Sequence, residues 1–329
     1  IEWWYITGHL ETQGAEKKPL AFQITFFRYS ASPDTPEKGA TGFRDSTMFL
    51  AHAALMDISR EDFYHQEKLN RGGWNAEAAL GTLDIYQSGW SLVAAGYDEN
   101  GDPLEFSFSG SIHSDARMDL TFRPLKPRVL FGEGGVSPKG SSPAAASYYI
   151  TFPRLAVSGS VAIGQSTYSV EGQSWMDHEI SSNQLEDNQE GWDWVQMQLF
   201  DGTEIMAYRL RQKDQTTAPY SFFNWIDEEG NVTTIRADQF SWIPQDPWTS
   251  SETGATYPIG PKVVATHPET GKRETYQIQP RVRSSEMPGD LGGISYWEGA
   301  VDILNEEGQA VGVGFLELTG YAQDLSERL

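Results

Sequence analysis

The segment Trp3-Trp4-Tyr5-Ile6-Thr7-Gly8-His9-Leu10 returns without a gap as Trp192-Asp193-Trp194-Val195-Gln196-Met197-Gln198-Leu199. Each copy is followed by a turn and a second apolar segment ending in arginine, Phe26-Phe27-Arg28 in one case and Arg209-Leu210-Arg211 in the other. A second echo closes each half. Gly159-Ser160-Val161-Ala162-Ile163, a turn and then Tyr168 to His178 parallel Gly299-Ala300-Val301-Asp302-Ile303, a turn at Asn305 to Gly308, and Val311 to Tyr321. In both halves the opening hairpin comes first and the closing hairpin last. An internal repeat in conserved order means that one supersecondary plan is used twice. We therefore expect two homologous units, 1–183 and 184–329, joined through the polar stretch 182–190.

Each unit reads as β structure. Segments such as Leu20 to Phe27 and Leu104 to Phe108 are short and alternating or mixed apolar, and Gly-containing turns at Asn100-Gly101, Asp201-Gly202, Glu229-Gly230, Thr270-Gly271 and Glu307-Gly308 punctuate them. Helical periodicity is confined to two short candidates, Phe63 to Leu69 and the tail after Tyr321. With 32 Gly and 17 Pro, the pattern predicts an all-β fold of barrels or sandwiches. Gly132 to Pro143 lacks strand character and reads as a flexible loop or lid. It has no strand–helix context that would make it a phosphate loop.

Charge and composition narrow the partners. The formal net charge is −22, so nucleic acid and anionic lipid surfaces would repel the chain. There is no cysteine, which removes disulfides, thiol catalysis and cysteine-held zinc. No run of about 18 apolar residues suggests a membrane-spanning helix. Absence of Cys suits an exported bacterial protein. A chain that starts without Met, directly in a strand, is the pattern expected if a leader has been removed.

One segment concentrates chemistry. Gly172-Gln173-Ser174-Trp175-Met176-Asp177-His178-Glu179 places three ionisable groups at consecutive positions. If it is extended, Trp175, Asp177 and Glu179 share one face and Met176 and His178 take the other. Adjacent strand residues diverge, so the three do not suit one metal ion. No H-E-x-x-H and no G-x-S-x-G motif accompanies them, which argues against zinc-protease and serine-hydrolase chemistry.

Taken together, Glu2 to Gly8, Gly172 to Glu179 with Ser181-Ser182, Gly191-Trp192-Asp193-Trp194 and Leu316 to Tyr321 resemble the AttH-like family, grouped with carotenoid 1,2-hydratases (hydroxyneurosporene synthases). The resemblance runs over nearly the whole chain. It implies two tandem lipocalin-like (calycin) β-barrels and an apolar or amphiphilic ligand such as a lipid, isoprenoid or polyketide. No cofactor is expected. Relatives of this type include hydratases, pericyclic cyclases and lipid-linked survival factors, and a shared fold does not by itself transfer a function. Two positions depart from the hydratases. The residue two beyond the His, aromatic in them, is Ile180, and Tyr208 is followed by Arg209 and Leu210 where they carry an acidic residue.

Two expectations follow. If the chain is a hydratase or cyclase, Asp177, His178 and Glu179 are the catalytic candidates. A carboxylic acid beside apolar walls keeps its proton near neutral pH, and aromatic faces stabilise the carbocation that protonation creates. If it is a binding protein, the same neighbourhood contacts an apolar ligand without turnover. Trp3, Trp4, Trp175, Trp192, Trp194, Tyr208 and Arg209 are the candidate contacts, with Trp3 and Trp192 also suited to closing a barrel end. The departures favour binding. An apolar cavity with Trp or Tyr on its wall is expected in or between the units.

Overall fold

A computed structural model describes residues 1–30, 47–183, 185–291, 294–323 and 325. Among these residues every regular element is a strand. The first sheet comprises β1 (Glu2–Thr12), β2 (Pro19–Tyr29), β3 (Met48–Asp57), β4 (Asp62–Arg71), β5 (Ala76–Ala78), β6 (Asp84–Gln87), β7 (Trp90–Tyr97), β8 (Pro103–Ile112), β9 (Ala116–Pro124), β10 (Val129–Leu130), β11 (Val136–Pro138), β12 (Ala146–Ile163) and β13 (Ser166–Ser181). The second comprises β14 (Gln189–Leu199), β15 (Glu204–Gln212), β16 (Phe222–Ile226), β17 (Val232–Arg236), β18 (Phe240–Ile243), β21 (Lys262–Thr266), β22 (Arg273–Pro280), β23 (Glu286–Met287), β24 (Tyr296–Leu304) and β25 (Ala310–Thr319). A separate hairpin is formed by β19 (Pro247–Thr249) and β20 (Thr256–Pro258).

The two sheets share one plan. The first runs β4-β3-β2-β1-β13-β12-β9-β8-β7-β6-β5 and the second β17-β16-β15-β14-β25-β24-β22-β21-β18. In each, the opening strand is flanked by the second strand on one side and the closing strand on the other. The paired echoes of the sequence are this shared centre. Both sheets curl into nearly closed, lipocalin-like barrels. By contacts, one compact unit holds 1–128 and 154–180, and the other holds 129–153 and 181–329.

Alternation fills each barrel. In the first, Phe22, Ile24 and Phe26 are buried with Phe106, Phe108 and Phe122. Ring centroids lie 6.0 Å apart for Phe22–Phe122 and 4.9 Å apart for Phe106–Phe122. Side chains help close the wall: Gln87 Nε2 donates to the carbonyls of Phe49 and Lys68 at 2.9 and 2.7 Å. In the second, Val195, Met197, Ile205, Ala207, Phe223, Val263, Ile278, Trp297 and Leu316 form the core. Barrels of this size are just wide enough for side chains to fill.

Two local expectations change. Phe63 to Leu69 is part of β4, not a helix. Its ladder to β3 runs from Met48–Arg71 to Asp57–Asp62, and those tertiary hydrogen bonds override a weak local preference. The tail after Tyr321 lies largely outside the described residues. Gly132 to Pro143, read as a mobile loop, contains β11 and is tied down by residues described next.

Candidate functional site

The signature strand separates its three ionisable residues. In β13, Trp175, Asp177 and Glu179 stand opposite Thr7, Tyr5 and Trp3 of β1, and His178 stands opposite Trp4. Trp175 Nε1 donates to Asp177 Oδ1 at 2.8 Å, with both residues buried. His178 takes the other face, stacked on Trp4 at 5.0 Å between centroids. Its Nε2 lies 2.8 Å from Glu2 Oε1, and Glu2 is ion-paired to Arg28. The Arg28 guanidinium sits 6.0 Å from the Trp4 ring, within cation–π range. His178 and Trp4 thus belong to a polar cluster on the core face, while Asp177, Glu179, Trp175 and Trp3 belong to the opposite face.

That opposite face is polar yet buried. Register aligns Asp177, Tyr5, Thr25, His52 and Glu67 in one row across β13, β1, β2, β3 and β4. The next row is Trp175, Thr7, Gln23, Ala54 and His65. Tyr5, Thr7, Gln23, Thr25 and His52 are all buried. Gln23 Nε2 donates to Thr25 Oγ1 at 3.2 Å. Burial, assisted by the nearby charge of His65, pushes His52 down to about 3. His52 is therefore a neutral imidazole at any physiological pH. Sequence reasoning gave Gln23 and Thr25 no place in this row and considered His52 only as a possible metal ligand beside Asp177, His178 and Glu179. The available signal was the polar pair Gln23 and Thr25, spaced by two within the otherwise apolar run Leu20 to Phe27.

The matching face of the second unit is aromatic. Its row runs Glu298, Glu317, Trp194, Tyr208 and Phe222 across β24, β25, β14, β15 and β16. Trp192, two residues before Trp194, donates from Nε1 to Glu317 Oε1 at 3.0 Å. Trp194 Nε1 donates to Tyr149 Oη at 3.2 Å. Lys139 is buried with its ammonium 4.3 Å from the Tyr208 ring centre, 4.9 Å from Tyr149 and 5.9 Å from Phe222. Those ring faces offset part of the cost of burying the charge. The loop bearing Lys139 is fixed: its N–H donates to Ala145 O at 2.7 Å, and its carbonyl accepts from Gln189 Nε2 at 2.8 Å. Glu186 accepts the N–H groups of Ser141 and Ser142 at 2.6 and 2.9 Å. The Ser142 N–H leads the interactions that hold the Glu186 carboxyl below its usual range.

Arg209 faces away from Tyr208. Its Nη1 donates to Asp193 Oδ2 at 2.9 Å; Arg211 also pairs with Asp193, and Tyr321 Oη donates to it at 2.9 Å. Asp193 is fully buried. The Arg211 guanidinium lies 3.9 Å from the Tyr321 ring centre. Arginine–aromatic contacts are thus made by Arg28 on Trp4 and by Arg211 on Tyr321. Of the sequence candidates, Trp192, Trp194 and Tyr208 are together on one face of the second unit, and Arg209 is on the other. Trp3, Trp175, Asp177 and Glu179 are together in the first unit, with Trp4 and His178 on its core face.

A recess of about 510 Å³ lies in the second unit, lined by residues including Leu199, Phe200, Lys272, Glu274, Tyr276 and Val311. Burial opposes the charge on Glu274, but hydrogen bonds from Lys272, Trp225 and Tyr276 hold its carboxyl below the usual range. This recess has a Tyr on its wall but is half charged.

Curled antiparallel sheets in tandem, each with an ordered second face, define a double lipocalin-like protein. The chain belongs to the AttH-like family, whose pattern matches residues 1–321. A crystal structure of a candidate AttH from Nitrosomonas europaea is 33% identical, covers 97% of this chain and 92% of its own, and superposes with a TM-score of 0.83. Kievitone hydratase from Nectria haematococca is 13% identical, with a TM-score of 0.73 over 98% of this chain and 89% of its own. At that identity the likeness is one of fold. The ceramide-binding protein SVF1 of Debaryomyces hansenii is 31% identical over 74 residues, which is 22% of this chain and only 20% of that protein's length.

Proposed function

We propose that this protein binds an apolar, lipid-like small molecule. The observation that carries this reading is the second face of the β14–β16 region. Trp194, Met206, Tyr208, Phe222 and Phe315 are all buried there, on the side of the sheet away from its own core. A sheet face opposite the core normally meets water and is polar. An aromatic and apolar face with a few placed polar groups is the composition of a small-molecule site. The partial match to a ceramide-binding protein supports a lipid as the ligand. The test is displacement of a fluorescent fatty-acid or polyene probe from the purified protein.

A second reading, hydratase or cyclase chemistry on an isoprenoid or polyene, is favoured by one observation. Asp177 is a buried carboxyl in the same row as the Tyr5 hydroxyl. An acid in that setting could protonate a double bond, and Trp175 beside it could face the resulting cation. Asp177→Asn separates the readings. With a purely structural Asp177, the melting temperature falls and ligand affinity stays within about twofold of wild type. With a catalytic Asp177, the melt is nearly unchanged and turnover of an identified substrate is lost.

A further inference from the structure

Gln196 is buried in β14, and neither its amide oxygen nor its amide nitrogen has a hydrogen-bond partner among the described residues. Other buried glutamines are bonded. Gln23 donates to Thr25, Gln87 to Phe49 and Lys68, Gln189 to Lys139 and Gln198 to Pro153. The contrast is sharpest along β14 itself. Trp194 and Gln198, two residues either side of Gln196 and on the same face, donate to Tyr149 and Pro153 at 3.2 and 2.8 Å. The strap 149–153 is thus pinned on both sides of Gln196, and Gln196 takes no part. Its cross-strand neighbours, Met206 and Phe315, are apolar and fully buried. A buried amide surrounded by such groups is costly unless something satisfies it. The repeat adds an independent observation. Thr7 occupies the position in the first unit that Gln196 occupies in the second, counted from Trp3 and Trp192, and its buried hydroxyl likewise has no partner among the described residues.

We infer that Gln196 anchors the polar group of the ligand and that this group is an amide. This rests on the apolar-ligand reading above and narrows it. The side chain offers an N–H donor and a C=O acceptor side by side. A primary amide returns both bonds as a cyclic pair; a hydrocarbon returns neither, and a carboxylate can only accept. The body of the ligand then lies against Met206, Phe315 and Trp194. Entry requires the strap 149–153 to release Trp194 or Gln198, because Gln196 is buried.

The experiment compares oleamide with the matched hydrocarbon cis-9-octadecene and with oleate, by competition against a fluorescent chain probe, on wild type and Gln196→Leu. The expected result is at least about tenfold tighter binding of oleamide than of either analogue, from two added hydrogen bonds. In Gln196→Leu that preference falls to within about twofold, while hydrocarbon affinity holds or rises. The ligand-free variant should melt no lower than wild type, since an unsatisfied amide has been removed. Gln196→Met serves if the Leu variant does not fold. The infrared carbonyl band of ¹³C-labelled oleamide should also shift on binding to wild type. Equal binding of all three molecules, or no carbonyl shift, overturns the amide assignment and leaves apolar binding standing. A preference that survives in both variants overturns the role of Gln196. Failure of every chain to bind overturns the broader reading and this inference with it.

Discussion

His52 should make the chain acid-sensitive in a defined window. It lies in β3, buried between Thr25 and Glu67 in its row, with His65 nearby on β4 and Asp177 at the far end of the row. Its folded-state pKa is depressed from 6.5 to about 3, chiefly by burial. Between those values the unfolded chain binds a proton that the folded chain refuses, so stability is full above 6.5 and falls as pH drops toward 3. At pH 5 the unfolded imidazole is about 1.5 pH units below its midpoint, and at about 1.4 kcal/mol per unit the loss is about 2 kcal/mol. Groups other than His52 are common to wild type and variant and cancel in the difference between them. The perturbation is His52→Gln, which keeps a polar side chain and removes the titration. Urea unfolding of wild type and variant at pH 8 and pH 5 gives four free energies. Wild type should lose about 2 kcal/mol more than the variant between the two pH values, whatever the variant costs at pH 8. Equal losses would refute the assignment of a buried neutral imidazole.

Two further substitutions test the packing. Asp193→Ala leaves Arg209 and Arg211 buried without their shared carboxylate, and should cost about 3–5 kcal/mol; a thermal melt showing a loss below about 1 kcal/mol contradicts the network's role. Gly172→Ala would set a methyl carbon 1.9 Å from the backbone oxygen of His9. It should destabilise the β1–β13 pairing by at least about 1–3 kcal/mol. Gly96→Ala, whose added carbon meets only Leu104 at 3.8 Å, is the control expected to be milder.

Much of this fold was legible because duplication leaves two copies of each strong pattern. The Trp3 and Trp192 strands, their arginine-ended partners and the closing hairpins occupy the same places in the two sheets. The division of Trp175, Asp177 and Glu179 from Met176 and His178 followed from strand alternation alone. Other features depend on contacts far apart in sequence. The 129–153 segment runs into β12, a strand of the first sheet, yet Lys139 packs on Tyr208 and Phe222 and Tyr149 accepts a hydrogen bond from Trp194. No local pattern carries that information. Likewise, Tyr208 and Arg209 are adjacent in the sequence and were both candidate ligand contacts. Register sends the two to opposite faces, and a buried Asp193 decides where the guanidinium goes. The row through Tyr5, Thr25 and His52 joins three strands, and beyond the Gln23 and Thr25 spacing in β2 it shows only when the strands are aligned.

The most direct measurement of ligand binding is native mass spectrometry of the purified protein, followed by organic extraction and titration with a fluorescent fatty-acid or polyene probe. The expected result is a bound or readily loaded apolar molecule at one to two per chain, displaceable by unlabelled lipid. A protein that carries nothing and takes up no fatty acid, isoprenoid, acyl amide or polyene at micromolar concentration contradicts it.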